Sequence, residues 1–90
     1  MVKEYTIDLT GLRDRADLHE RIFHALPLPE WYGYNLDALY DVLTSVGEQC
    51  ELELCGLEDI EEDMRGYLDV LRQVLEDAEA ENTYFSFSYE

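Results

Sequence analysis

The sequence predicts a single α/β domain built on a small parallel sheet. Three observations lead there. Three short segments alternate apolar and polar residues, as strands do, and the segments between them carry apolar residues at helical spacing. Strands separated by helices join through right-handed crossovers, which leave neighbouring strands parallel. A length of 90 residues suits one domain, here taken as residues 1–90, without repeats, linkers or low-complexity tracts.

Val2 to Asp8 alternates and reads as a strand, ended by Thr10-Gly11. Asp14 to Leu26 reads as a helix, with Leu18, Ile22, Phe23 and Leu26 on one side and Ala25 beside them. Pro27 and Pro29 stop it and stiffen the loop that follows. Asn35 suits the N-cap of a second helix running to about Val46, and Gly47 stands where a C-terminal glycine is expected. Cys50 to Leu54 alternates as a second strand, and Leu57 to Asp63 can make a short acidic helix. Met64 or Tyr67 to Glu81 forms a longer helix, with Tyr67, Leu68, Leu71, Val74, Leu75 and Ala78 inward. In Thr83 to Tyr89, Phe85, Phe87 and Tyr89 alternate with Tyr84, Ser86 and Ser88 as a third strand. The expected order is β-α-α-β-α-α-β, a three-stranded parallel sheet packed against about four helices.

The chain is 47% hydrophobic and 12% aromatic, which excludes a disordered acidic tail despite a formal charge of −16. Such a charge repels nucleic acid and anionic membrane and favours a basic protein partner through electrostatic steering. Acidity can also serve solubility or adaptation to salt, and Lys3 is the only lysine. That alternative leaves the positions of the aspartates unexplained. Met1 to Tyr5 passes straight into alternating sequence without the look of a secretory signal, and no apolar run reaches transmembrane length. The expectation is therefore a cytoplasmic protein. Cys50 and Cys55 fall on opposite faces of their strand, too far apart to bridge, and C-x4-C with no nearby histidine is weak as a metal site. Free thiols in a reducing compartment are expected.

The second helix carries the most informative pattern. At about 100° per residue, Leu36, Leu39, Leu43 and Val46 gather on the core side, while Asp37, Asp41 and Thr44 gather about 100° or more away. Tyr40 lies on the border, where a ring gives contact area and a hydroxyl stays wet. Asp37 sits in the first turn, where the helix dipole favours a carboxylate. Asp41 lies one turn further in, next to a like charge at i+4 that costs a few tenths of a kcal/mol. A local cost without local benefit is where function is sought; the ordinary alternative is a solvated helix face. Just upstream, Trp31, Tyr32, Gly33 and Tyr34 crowd three aromatics into a loop. One or two must pack inward, and the exposed remainder has the composition of an interface hot spot. Gly33 allows a left-handed turn or the close approach of another backbone. On the last helix Val70 and Val74 edge the apolar stripe and Asp77 follows at i+3 from Val74, so Asp77 joins the same surface if the two helices lie side by side. Glu76 points to the opposite, solvent side.

Catalysis is disfavoured. Asp37 and Asp41 as an acid/base dyad would need burial or a pocket, and both read as exposed. His19 and His24 lack the i, i+4 spacing of a metal pair and read as surface or interhelix packing; no nucleophile set or Gly-rich phosphate loop is legible. No catalytic residue, metal or cofactor is assigned.

The run Leu28-Pro29-Glu30-Trp31-Tyr32-Gly33-Tyr34-Asn35-Leu36-Asp37-Ala38-Leu39-Tyr40-Asp41 resembles the barstar family, small intracellular inhibitors of secreted bacterial ribonucleases. The likeness extends more weakly to Asp17-Leu18-His19 and to Val74–Glu81. The resemblance implies a barstar-like fold and inhibition by occlusion of a ribonuclease active site. Asp41 would stand where an RNA phosphate binds, Asp37 would meet a second basic residue, and Trp31 would stack on the catalytic rim. Gly33, Asn35, Leu36, Tyr40 and Thr44 would supply contacts, with Val74 and Asp77 finishing the edge. It implies a 1:1 complex with a basic secreted ribonuclease and a monomer when free. The sequence departs from the family prototype at Trp31, a tyrosine there, and at Tyr40, a tryptophan there. Asp77 replaces a glutamate and Glu76 a basic residue, and the cysteines fall elsewhere. Two other readings stand beside this one: an antitoxin, immunity protein or nucleic-acid mimic directed at another basic partner or an acidic interaction domain with no ribonuclease partner, and a metal-assisted hydrolase using Asp37 and Asp41.

Overall fold

Alternation along the strands decides which side of the sheet the helices cover. The computed structural model describes residues 2–28, 30, 32–33 and 35–89, the side chain of residue 59 apart. Its elements are β1 (Lys3–Asp8), α1 (Arg15–Ala25), α2 (Leu36–Thr44), β2 (Cys50–Cys55), a 3-10 turn (Leu57–Asp59), α3 (Glu62–Glu81) and β3 (Phe85–Tyr89). The strands form one parallel sheet in the order β1-β2-β3, with Tyr5 opposite Leu52 and Leu52 opposite Phe87. Ile7, Cys50, Leu52, Leu54 and Phe85 are buried, with Tyr5 and Phe87 half-buried beside them. The alternate residues Glu4, Thr6, Glu51, Glu53 and Ser88 are exposed. Parallel sheets are usually covered on both faces; this one is covered on one, which is why its strands alternate rather than run apolar throughout.

The parallel three-stranded sheet agrees with the sequence expectation, but the helix count does not. Among the described residues there are three α-helices, and the acidic helix expected over Leu57 to Asp63 is a single 3-10 turn. Gly56 enters that turn in the left-handed region (φ 76°), and Ile60 leaves it extended and buried. An extended, buried residue cannot continue a helix, so α3 starts afresh at Glu62. On α3, Met64, Leu71, Leu75 and Ala78 are buried, whereas Tyr67, Leu68 and Val74 are half-buried.

α1 and α2 begin as their caps dictate. Asp14 Oδ1 accepts the Asp17 N–H at 2.8 Å, and Asn35 Oδ1 accepts the Ala38 N–H at 2.7 Å. The end of α2 differs from expectation. The helix stops at Thr44 with Ser45 as its cap, and Gly47 is not in the left-handed conformation. Side chains take the terminal carbonyls instead. Thr44 Oγ1 donates to Tyr40 O at 2.8 Å and Ser45 Oγ to Asp41 O at 2.7 Å. The Asn82 amide, from the end of α3, donates to both Leu43 O and Val46 O at 2.9 Å. With those carbonyls satisfied, no glycine-based cap is needed.

Cys50 is buried and Cys55 half-buried, with the Cys55 thiol donating to Ile7 O at 3.7 Å. No described helix is long and apolar enough to cross a membrane.

Candidate functional site

The candidate surface is the outer face of α2 with the segment before it. Leu39 and Leu43 are buried under α2 and fix its rotation. Asp37 and Asp41 are then exposed, one turn apart on the same side, with Thr44 half-buried beyond them. Thr44 turns its hydroxyl back onto the helix, to Tyr40 O and to Asp41 O at 3.2 Å. Asn35 is exposed and committed to capping: besides accepting from Ala38, its amide donates to Gly33 O at 3.1 Å. Gly33 is exposed and does not adopt a positive φ, so the left-handed turn is not what it provides. Its role is close approach: a Cβ there would lie 2.9 Å from the Asn35 Nδ2. Leu36 is half-buried against the core. Trp31, with Pro29 and Tyr34, lies outside the described residues.

The condition the sequence left open for Asp77 is met, because α2 and α3 pack against each other. Tyr40 sits between them, half-buried. Partial burial, then the carboxylates of Glu81, Asp77 and Asp41, push the pKa of its hydroxyl upward. Asp77 and Asp41 therefore share one neighbourhood with Tyr40, and Glu81, which the sequence reading left out, belongs to it as well. Spacing alone contained the clue: Glu81 is i+4 from Asp77 on the same helix face. Asp77 also accepts from the Gln73 amide at 3.0 Å. Val74 is half-buried and Val70 is 51% exposed, in line with their place at the edge of the apolar stripe. Glu76 pairs with Arg72 at 3.3 Å, an exposed i,i+4 pair.

Sequence reasoning missed what holds the loop. His19, read as ordinary packing, is 2% exposed and bridges two tyrosines. Its Nδ1 lies 2.7 Å from the Tyr32 hydroxyl and its Nε2 2.6 Å from the Tyr67 hydroxyl. A neutral imidazole donates through one nitrogen and accepts through the other, so one tyrosine accepts and the other donates. Burial pushes the His19 pKa down, favouring that neutral form. Tyr32 packs inward: it is 4% exposed and stacks on Phe23 with ring centroids 6.4 Å apart. The loop is thereby tied to α1 and α3. Nothing in the spacing of residues 19, 32 and 67 announces this contact, though His19 does border the Leu18–Ile22 stripe.

The arrangement is a rigid acidic helix face beside an anchored loop. Among the described residues no cluster of three or more His, Cys, Asp or Glu side chains is placed to hold a metal ion. The family model of Barstar (barnase inhibitor) matches residues 2–90. The chain belongs to the barstar family. The family is one of inhibitors of barnase-type ribonucleases, and the three-stranded parallel α/β fold fits it. Barstar-family membership also covers the segments where the likeness in sequence is weak, since the match runs through β2, α3 and β3 as well as the loop and α2.

Proposed function

We propose that this protein occludes the active site of a basic, secreted, guanyl-specific bacterial ribonuclease. The complex is 1:1, formed inside the producing cell by a protein that is monomeric when free and catalyses nothing itself. The observation that carries this reading is the exposed Asp37–Asp41 pair on one face of a core-fixed helix, in a chain of the barstar family. A nuclease site must be cationic to hold RNA, so an inhibitor that displaces RNA should present fixed negative charge. Asp41 stands in for the phosphate against Arg and His groups, with charge-assisted hydrogen bonds. Asp37 meets a second cation. Trp31, Gly33, Asn35, Leu36, Tyr40 and Thr44 frame the charges, and Val74 and Asp77 extend the contact onto α3. A formal charge of −16 accelerates encounter with a basic partner.

The test is titration of a guanyl-specific bacterial ribonuclease with the protein and with its Asp41→Ala variant. Truncating one member of a buried, hydrogen-bonded charge pair costs roughly 2–5 kcal/mol, so Asp41→Ala should weaken inhibition by at least about 30-fold. The barnase–barstar complex is itself among the reference systems for that general figure. Association by the wild type should slow markedly between low and high salt, with dissociation little changed. RNA cleavage untouched by the wild type, or equal inhibition by Asp41→Ala, would sink the reading.

A further inference from the structure

β1 is an edge strand, and half of that edge is left bare. The Lys3 amide donates to Gln49 O at 3.0 Å and the Leu9 amide to Cys55 O at 2.8 Å, so odd-numbered residues bond toward β2. The backbone groups of Glu4 and Thr6 therefore point away from the sheet. Elsewhere side chains guard part of each edge. Arg21 reaches from α1 and donates to Asp8 O at 3.0 Å and Thr10 O at 2.8 Å. On the opposite edge Glu79 accepts the Phe87 amide at 3.1 Å. Side chains that cap an edge are a common defence against unwanted strand pairing. Among the described residues, no such cap sits on Glu4 and Thr6.

Beside this bare stretch lies an apolar hollow of about 480 Å³, the size of a ligand pocket. Lys3, Tyr5, Leu26, Leu28, Val42 and Val46 contribute to its walls. It opens on the helix-covered side of the sheet, where Tyr5 points. The other side of the same edge is acidic. Glu4 stands in register with Glu51, and Thr6 with Glu53, all on the solvent face. Like charges directly opposite one another destabilise a sheet, and a cation laid across them relieves that.

We propose that the Lys3–Thr6 edge of β1 receives an extended peptide segment in which apolar residues alternate with Lys or Arg. Backbone hydrogen bonds to Glu4 and Thr6 extend the sheet. Apolar side chains enter the hollow, and basic ones lie over Glu4, Glu51 and Glu53. Strand addition of this kind takes affinity from the main chain and selectivity from the pockets that flank it. A second copy of this chain fits poorly, because pairing β1 with β1 sets acidic strands together between molecules of charge −16. The surface is separate from the proposed ribonuclease face: Val42 lies about 100–140° around α2 from Asp41 and Asp37, and Val46 lies past the end of the helix. Both faces can be occupied at once.

The probe is a blocked hexapeptide of alternating lysine and leucine, with a control of equal composition in two blocks. Amide exchange and NMR titration are followed on the protein alone. The alternating peptide should slow exchange at Glu4 and Thr6 at least tenfold and bind at least tenfold more tightly than the block control. Thr6→Pro removes the outward donor at a position where an edge strand tolerates proline. It should weaken binding at least tenfold while leaving ribonuclease inhibition unchanged. Should Thr6→Pro not fold, the wild-type exchange data decide alone. Unchanged exchange at Glu4 and Thr6, equal binding of the block peptide, or shifts centred on Asp37 and Asp41 overturn the proposal. So does protection of the same amides in a dimer of the protein without peptide.

Discussion

Asn82 is the residue through which α3 and β3 hold the end of the candidate helix, and its removal can be worked out bond by bond. Its amide nitrogen donates to Leu43 O and Val46 O, each at 2.9 Å, and its amide oxygen accepts the Tyr84 N–H at 3.0 Å. The residue is 8% exposed. Asn82→Ala strips all three partners at once while the backbone bonds of residue 82 remain. The bond to Leu43 O is buried, and a buried orphan costs about 1–3 kcal/mol; the other two are part-buried and worth roughly 0.5–1.5 kcal/mol each. The sum is about 4 kcal/mol, a large share of the 5–15 kcal/mol typical of a domain. With a urea m-value of about 1–1.5 kcal/mol/M for a chain this small, the midpoint should fall by roughly 3 M. Asn82→Asp separates donor from acceptor. It keeps an acceptor for Tyr84 but turns a carboxylate toward two carbonyls, so it should be at least as damaging as alanine. A loss below about 1 kcal/mol for Asn82→Ala, or wild-type stability for Asn82→Asp, refutes the reasoning.

The remaining predictions concern the core, one turn and the acidic face. For His19, burial holds the folded pKa below the unfolded value of about 6.5, so the unfolded state binds the proton first. Its contribution is whole above about pH 6.5 and declines as pH falls from there toward the folded pKa, at up to about 1.4 kcal/mol per pH unit. Urea midpoints between pH 7.5 and 5 should show this slope. His19→Gln, which can still bond both Tyr32 and Tyr67 and leaves Arg15 over the Tyr67 ring, should flatten it; an unchanged slope assigns the titration elsewhere. At Gly56, a Cβ would meet Thr10 Oγ1, with Thr10 N at 2.5 Å and Asp8 Oδ1 at 2.7 Å, at a φ of 76°. Gly56→Ala should cost about 2 kcal/mol or more by thermal melting, since left-handed backbone alone costs about 1–2 kcal/mol; a loss under about 1 kcal/mol would show that the turn relaxes freely. Asp77→Asn keeps the bond to Gln73 and removes the like charge four residues before Glu81, so the free protein should gain a few tenths of a kcal/mol while inhibition weakens. Unchanged inhibition would remove Asp77 from the contact.

What was legible in the sequence followed from period and from caps. The alternation of β1, β2 and β3 placed all three strands, and the acceptor side chain of Asn35 marked the start of α2. The face shared by Asp37, Asp41 and Thr44 came from angle alone. The misreadings have one physical source, which is that tertiary partners were invisible. Gly47 looked like the end of α2 because the amide of Asn82 lies 36 residues away from Val46, beyond any local pattern. The acidic run at Leu57 to Asp63 had helical composition, yet Ile60 was claimed by the core in an extended conformation. His19 looked unremarkable because its partners Tyr32 and Tyr67 come from two other elements.

These clamps bear on how a nine-residue helix can serve as a binding surface. Isolated helices shorter than about 12–15 residues are marginal in water, so α2 cannot hold Asp37 and Asp41 rigid by its own propensity. Rigidity must be imposed from outside. Leu39 and Leu43 fix the rotation, Asn35 fixes the start, Asn82 fixes the end, and His19 ties the preceding loop through Tyr32. None of these side chains adds charge to the outer face of α2. The acidic groups of that face, by contrast, work slightly against the free fold, because Asp37 and Asp41, and Asp77 and Glu81, are like charges four residues apart on their helices. Separation of the two duties has a consequence for affinity. Ordering the surface in advance lowers the entropy lost on binding, and a cation placed beside these like charges offsets the few tenths of a kcal/mol that each such pair costs. In the proposed complex a basic partner would therefore meet charges whose positions the core has already fixed.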